Sequence, residues 1–264
     1  MSKLHIFIDG SWLIKVCAPK GVLAQKMYDP KQFKLDFGKL KNTIFEHVHA
    51  KEPECTELGD CYFVTSIFDI PADIATWKGK VVGKTPLSET AINKTVWNVN
   101  MCKDYAQRAL NSGYAKSGII TVALKEWMIP KLGGGQYQEK QVDTTVVALF
   151  VKYAITMKDD FFVVLAGDSD ILPAINIAYP EFTNRLCLVT THPDQLDATH
   201  RQTSFSFLAH TYSIDPIYLH DCVDKIVEGN NVYVCANCHK IFMAPHQLTK
   251  FNRPYCPACK KMRT

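Results

Sequence analysis

Six apolar residues in succession, FFVVLA at 161–166, run directly into Gly167-Asp168-Ser169-Asp170. Such a run is short for a helix and lacks the polar alternation of a strand with one wet face. It therefore reads as a strand buried on both sides, at the centre of a parallel sheet. The chain opens on the same pattern, because the short apolar run 4–8 ends in Asp9-Gly10-Ser11. Further strands are predicted over 61–68, 119–124, 185–190 and 217–219. Helices are predicted over 31–49, 100–111 and 204–210, and from Asp143 along Val146, Val147, Leu149, Phe150, Tyr153 and Ala154. Residues 71–97 show little periodicity and read as a long loop, and Gly133-Gly134-Gly135 as a flexible linker. Alternating strands and helices predict the α/β class, a parallel sheet with helices on both faces.

At 264 residues the chain has room for one domain of roughly 200 residues and a small appendage. With 47% hydrophobic and 21% charged residues, wholesale disorder is excluded. The longest apolar stretch, 146–155, is broken by Lys152 and falls short of a bilayer span, so no membrane contact is expected. The first residues contain no secretory apolar region, which predicts a cytoplasmic protein. A net charge of +4 conceals an uneven split: residues 229–264 carry six cations and no acid, leaving the remainder at −2. A boundary is predicted there, giving units 1–228 and 229–264, the second suited to meet a polyanion.

Asp9, Asp168 and Asp170 each follow a predicted strand, so a parallel sheet would bring all three to its carboxyl crest, where ligands bind in such folds. Asp143, at a helix start, can reach the same edge. Taken singly, Asp9-Gly10 is a turn, Asp168 or Asp170 a helix cap, and Asp143 a dipole partner. Together, such carboxylates would repel one another by several kcal/mol at low dielectric unless a cation or protons neutralise them, and a divalent ion does this best. All-oxygen ligation favours Mg²⁺ or Mn²⁺, which can activate water and neutralise a phosphodiester transition state. Lys15 and Lys140 read either as point charges for a phosphate or as solvated lysines.

Phe7-Ile8-Asp9-Gly10-Ser11, then Glu139-Lys140-Gln141-Val142-Asp143-Thr144, then Leu165-Ala166-Gly167-Asp168-Ser169-Asp170 with Pro173, resemble the three motifs of the NYN domain family. That family, with its LabA-like members, belongs to the PIN-like nuclease superfamily, and the resemblance spans roughly residues 3 to 220. It implies a PIN-like, Rossmann-like sandwich and metal-dependent cleavage of RNA. By position it makes Asp9, Asp143, Asp168 and Asp170 the catalytic and metal-holding acids, with Ser11 and Ser169 as polar groups beside them. One departure stands out: the family usually continues its first motif with Asn after the Ser, and this chain has Trp12. That ring either stacks on a base or plugs an apolar gap.

Four of the 10 cysteines form Cys235-x-x-Cys238 and Cys256-x-x-Cys259. The spacing is that of a four-thiolate zinc ribbon with no open position, a structural site. The other six cysteines sit among apolar neighbours and read as buried thiols. Around the ribbon, Tyr233, Phe242, Phe251 and Tyr255 alternate with Lys240, Lys250, Arg253 and Lys260. These rings either stack on single-stranded nucleic acid or cover the small zinc core. The expected function is a Mg²⁺- or Mn²⁺-dependent endoribonuclease with a ribbon that helps hold the strand. The partner is RNA, with DNA not excluded, and a homo-oligomer or protein partner through the ribbon is a further expectation. The alternative is a non-catalytic RNA-binding or protein-docking module that keeps the acidic site. A metal phosphatase of the haloacid-dehalogenase type would want Asp-x-Asp after the first strand, and Asp9-Gly10-Ser11 lacks it.

Overall fold

Residues that alternate sides along a strand but are apolar on both require cover on both faces, and the chain supplies it. The computed structural model describes residues 2–134, 140–167, 169–192, 215–248 and 253–262. In chain order the strands are β1 (Ser2–Asp9), β2 (Cys55–Asp69), β3 (Val81–Val82), β4 (Thr85–Pro86), β5 (Ile119–Ala123), β6 (Phe161–Leu165), β7 (Leu186–Thr190) and β8 (Ile217–Tyr218). Six of them form one sheet in the order β5-β2-β1-β6-β7-β8, each parallel to its neighbours. Leu4, Ile6, Phe7 and Ile8 of β1 and all of β6 are fully or almost fully buried. This is the α/β architecture expected from the two apolar runs.

On one face, Ile6, Ile8 and Phe63 pack with α1 (Gly10–Cys17), α2 (Phe37–Lys51) and α3 (Glu89–Asn111). On the other, Phe7, Val64 and Val164 pack with α5 (Lys140–Thr156) and α6 (Leu172–Ala178). Each fully buried Phe, Leu or Ile contributes on the order of 2 kcal/mol of apolar transfer. From β1 the chain travels outward through β2 to β5, with α1, α2 and α3 on the first face. It then returns over the second face through α4 (Ile129–Gly134) and α5 to enter β6 on the far side of β1. The connections leaving β1 and β6 therefore diverge to opposite faces. Their carboxyl ends frame the topological switch point of the sheet, the place where open α/β sheets bind ligands.

At the opposite end of the strands, polar groups are stitched together. Buried His5 accepts the Asp60 N–H at Nδ1 (2.9 Å) and holds the Asp160 carboxylate at Nε2 (3.1 Å). Tyr153 donates to Asp60 Oδ2 (2.5 Å) and meets the Tyr62 hydroxyl at 2.8 Å. With both ring nitrogens engaged, His5 is the neutral tautomer carrying its proton on Nε2. A chain of this kind ties β1, β2, α5 and the start of β6 without leaving a buried donor orphaned.

Three predicted segments differ from what is observed. The helix expected over 31–49 begins at Phe37, where Asp36 caps it by accepting the Lys39 N–H (2.9 Å). Pro30 opens only a single 3₁₀ turn, Pro30–Gln32, because the next residues extend so that Leu35 pairs with Val227. The long loop over 71–97 is largely ordered structure. It holds a 3₁₀ turn, the β3–β4 hairpin and the first half of α3, which Ser88 caps by accepting the Ala91 N–H (3.1 Å). Gly133 and Gly134 end α4 instead of forming a linker, and Gly135 lies outside the described residues. The helix predicted over 204–210 also lies outside them.

Near the carboxyl end, β9 (Val232–Val234) and β10 (Ile241–Met243) form an antiparallel hairpin. Ile241 is buried in the core of the first face, and its carbonyl accepts the Tyr28 N–H (2.6 Å). Lys240 Nζ donates to the Gln25 carbonyl, and Lys39 Nζ to the Val227 carbonyl (3.1 Å). The cysteine-rich segment is thus seated on the loop between α1 and α2. Among the described residues no helix is long and apolar enough to cross a membrane.

The amino-edge stitch requires Gly59, since a Cβ there would lie 2.5 Å from the His5 ring. Gly59→Ala is expected to cost about 1–3 kcal/mol by overpacking a rigid ring. A urea midpoint lowered at unchanged slope would register it.

Candidate active site and metal centre

The first carboxylate is set by the end of β1. Asp9 is 3% exposed, and its Oδ1 accepts the Trp12 N–H (2.9 Å), capping α1 at the strand's carboxyl end. The cap fixes the acid at the amino terminus of α1. Gly10 follows because the chain turns hard against β2. A Cβ there would lie 2.7 Å from both the Phe63 ring and the Val64 carbonyl.

Trp12, one turn into α1, is half-buried against the core of the first face. Its indole lies across Gly167, where any Cβ would overlap the ring nitrogen. The ring therefore bridges the ends of β1 and β6 and occupies the gap between them. Of the two readings of Trp12, plugging is the one this contact matches. Ser11 is half-buried on α1, and Lys15 is exposed in its last turn.

Asp143 stands in the first turn of α5 and is half-buried, flanked by fully buried Val142 and Val146. Because α5 runs back from the β5 side over the second face, that first turn lies at the carboxyl edge. After β6, Ser169 is half-buried and Asp170 exposed in the 3₁₀ turn Ser169–Ile171 that leads into α6. Asp168 and the side chain of Lys140 lie outside the described residues. Asp9, Asp143 and Asp170 thus share one edge of the sheet. Among the described residues, only the four cysteines form a set of three or more ligating side chains with donor atoms within 4.8 Å of one another. The described acids do not make such a set by themselves.

One neighbour was missed from sequence. Ser66 interrupts the apolar stretch of β2, and its Oγ is buried without a hydrogen-bond partner among the described residues. Asp9 pairs with Val64 in register, so Ser66 lies two residues beyond, on the same face of β2 as Val64. The signal was the polar pair Thr65-Ser66 inside an otherwise apolar run. Farther along the same edge, His220 accepts the His192 N–H at Nδ1 (3.1 Å). Burial, reinforced by Lys26, lowers its pKa to about 4, so the ring is neutral near pH 7.

In the cysteine-rich segment, the sulfurs of Cys235, Cys238, Cys256 and Cys259 form the 4.8 Å set, a group that can hold a zinc ion. Burial acts to raise the Cys235 thiol, but the backbone N–H groups of Cys238, Cys256 and Asn237 outweigh it and bring the pKa to about 6. The Cys256 N–H reaches Cys235 Sγ at 3.4 Å, and Asn237 Nδ2 reaches Cys259 Sγ at the same distance. Such donors orient and stabilise thiolates. Phe242 is buried in this small cluster, with Tyr233 and Tyr255 packed against it. Those three rings cover the cysteine core, and Phe251 lies outside the described residues.

No family model matches the chain, and no curated protein matches it. Among solved structures, it is similar to a crystal structure of a protein of unknown function from Vibrio parahaemolyticus. The two share 10% identity with a TM-score of 0.42, over 86% of this chain and 96% of that one. A likeness of that size carries no argument about fold detail or activity.

The Trp12–Gly167 contact makes a separable claim about the gap between β1 and β6. Gly167→Ala is expected to destabilise the protein, and to do so less in a Trp12→Ala background. A double-mutant cycle on urea unfolding should return a coupling of about 1 kcal/mol or more between the two positions.

Proposed function

We propose that the chain is a metal-dependent endoribonuclease with a PIN-like, NYN-type site, carrying a structural zinc ribbon at its carboxyl end. The observation that carries this reading is the switch point: Asp9 ends β1, Asp170 follows β6, and Asp143 stands in the first turn of the helix that leads into β6. Separate chain segments deliver acids to one edge, and were their carboxylates to converge there a cation would offset their repulsion. An all-oxygen donor set of this kind suits Mg²⁺ or Mn²⁺, and Asp9, Asp143, Asp168 and Asp170 would hold it. When bound, such an ion supplies Lewis acidity and lowers the pKa of a water ligand.

The chain's own residues would do the rest. Asp9, already fixed by the Trp12 N–H, would hold its carboxylate in one orientation. Lys15 and Lys140 would bind phosphate oxygens, and Ser11 and Ser169 would donate hydrogen bonds beside the acids. The ribbon's four thiolates would fill a tetrahedral zinc site completely, making it structural. Its cations would add an electrostatic hold on the strand.

A second reading has its own support. Trp12 fills space between β1 and β6 where the resembled family usually carries Asn, which favours a nucleic-acid-binding module without turnover.

Labelled single-stranded RNA incubated with Mn²⁺ decides between them. Cleavage that Asp143→Asn reduces by roughly a hundredfold or more, at an unchanged melting temperature, is the expected result. RNA binding with no cleavage favours the second reading, and equal cutting by wild type and variant refutes the acidic site. For the ribbon, elemental analysis is expected to return one zinc per chain, lost in Cys256→Ser together with part of the thermal stability.

A further inference from the structure

The described rings of the ribbon, Tyr233, Phe242 and Tyr255, are spent on its own core, which leaves open what would grip the bases of a bound strand. Trp97, on the outward side of α3, is 60% exposed, more than any other described aromatic side chain of that size. A large apolar ring in water is costly, and its helical neighbours are no more ordinary. Asn93 and Asn100 lie four residues before and three after it, and Lys94 three before, all exposed and on the same helical face. Asparagine is a poor helix former, so exposed positions that would favour Ala, Glu or Lys have been given to amides. A local rule broken without a packing gain points to recognition.

The charge is one-sided as well. From Thr90 to Lys103 there is no acid, and Lys94 and Lys103 are the charged residues. The acids that flank this stretch are ion-paired, Glu89 with Lys78 (2.7 Å) and Asp104 with Arg108 (3.5 Å). This half of α3 buries Ile92 and Val99 with Phe68 and Leu124, which follow or end β2 and β5. It therefore stands at the carboxyl edge of the sheet, the edge that carries Asp9.

We infer that the outward face of α3 around Trp97 is a docking platform for single-stranded nucleic acid. A base stacks on the indole, Asn93 and Asn100 meet its polar edge, and Lys94 meets the adjacent phosphate. The choice of nucleic acid over another polyanion rests on the nuclease reading, and the platform deepens it by naming where the strand lies.

Binding is measured by fluorescence anisotropy of a labelled twelve-nucleotide RNA in buffer without added magnesium or manganese, so that cleavage plays no part. Trp97→Ala is expected to weaken binding roughly 5- to 150-fold. Trp97→Phe is expected to retain most of it, and an abasic chain of equal length should bind wild type and Trp97→Ala alike. Equal RNA affinity in Trp97→Ala, equal loss in Trp97→Phe, or wild-type affinity for the abasic chain as high as for RNA would each overturn the proposal. So would a wild-type dimer that Trp97→Ala converts to monomer, because a second copy would then own this face. Trp97-dependent binding with no manganese-dependent cleavage would sink the nuclease reading and leave the platform standing.

Discussion

Burial of β1 on both faces is the constraint from which the remaining arrangement follows. Leu4, Ile6, Phe7 and Ile8 have no access to water, so the strand can place strongly polar chemistry only near its ends. At its amino end the polar groups satisfy one another through His5, Asp60, Asp160 and Tyr153. At its carboxyl end Asp9 is capped onto α1 beside a gap opened by the reversal of strand order. The amino edge is tied by these hydrogen bonds beside a cavity of about 480 Å³ lined by His5, Asp60 and Asp160, whereas the carboxyl edge lies at the reversal of strand order, the topology of a ligand site in open α/β sheets.

How much of this was legible in the chain depended on whether the signal was contiguous. The run at 161–166 and its twin at 4–8 could be read because a central parallel strand is apolar residue after residue. Asp9 could be placed for the same reason, since it is the first acid after such a run. The first half of α3 was hidden because its buried face includes Thr95 among Ile92 and Val99, which weakens the helical period. The seat of the ribbon was hidden too. Ile241 fills a gap in a core assembled from residues two hundred positions earlier, and nothing local marks it as different from Phe242. Trp12 and Gly167 were each visible as oddities, a ring where an amide is usual and a glycine before an acid. Only their contact explains both.

That contact also shapes what the candidate site can accommodate. An indole laid across Gly167 fills the space beside that glycine, between the ends of β1 and β6. The space beside Gly167 is thus lined by an apolar ring. The resembled family's amide would instead present a hydrogen-bonding floor, so the difference is one of positioning more than of charge.

The cysteines show the same residue type driven in opposite directions by its surroundings. Burial raises the thiols of Cys55 and Cys61 to about 11 and of Cys222 to about 12, so they stay protonated and behave as small apolar side chains. Cys235 meets the same desolvation, yet three backbone N–H groups turned toward its sulfur reverse the sign. A metal takes thiolates, not thiols, and proton loss is part of its binding free energy. The amides that follow Cys235 and that of Cys256 therefore favour the thiolate at this one sulfur, where burial disfavours it at the core cysteines. Within the same cluster the Lys240 N–H acts to lower Cys238, but burial and the Cys235, Cys259 and Cys256 side chains push it up to about 12, so the four sulfurs would meet a metal with unequal proton affinities.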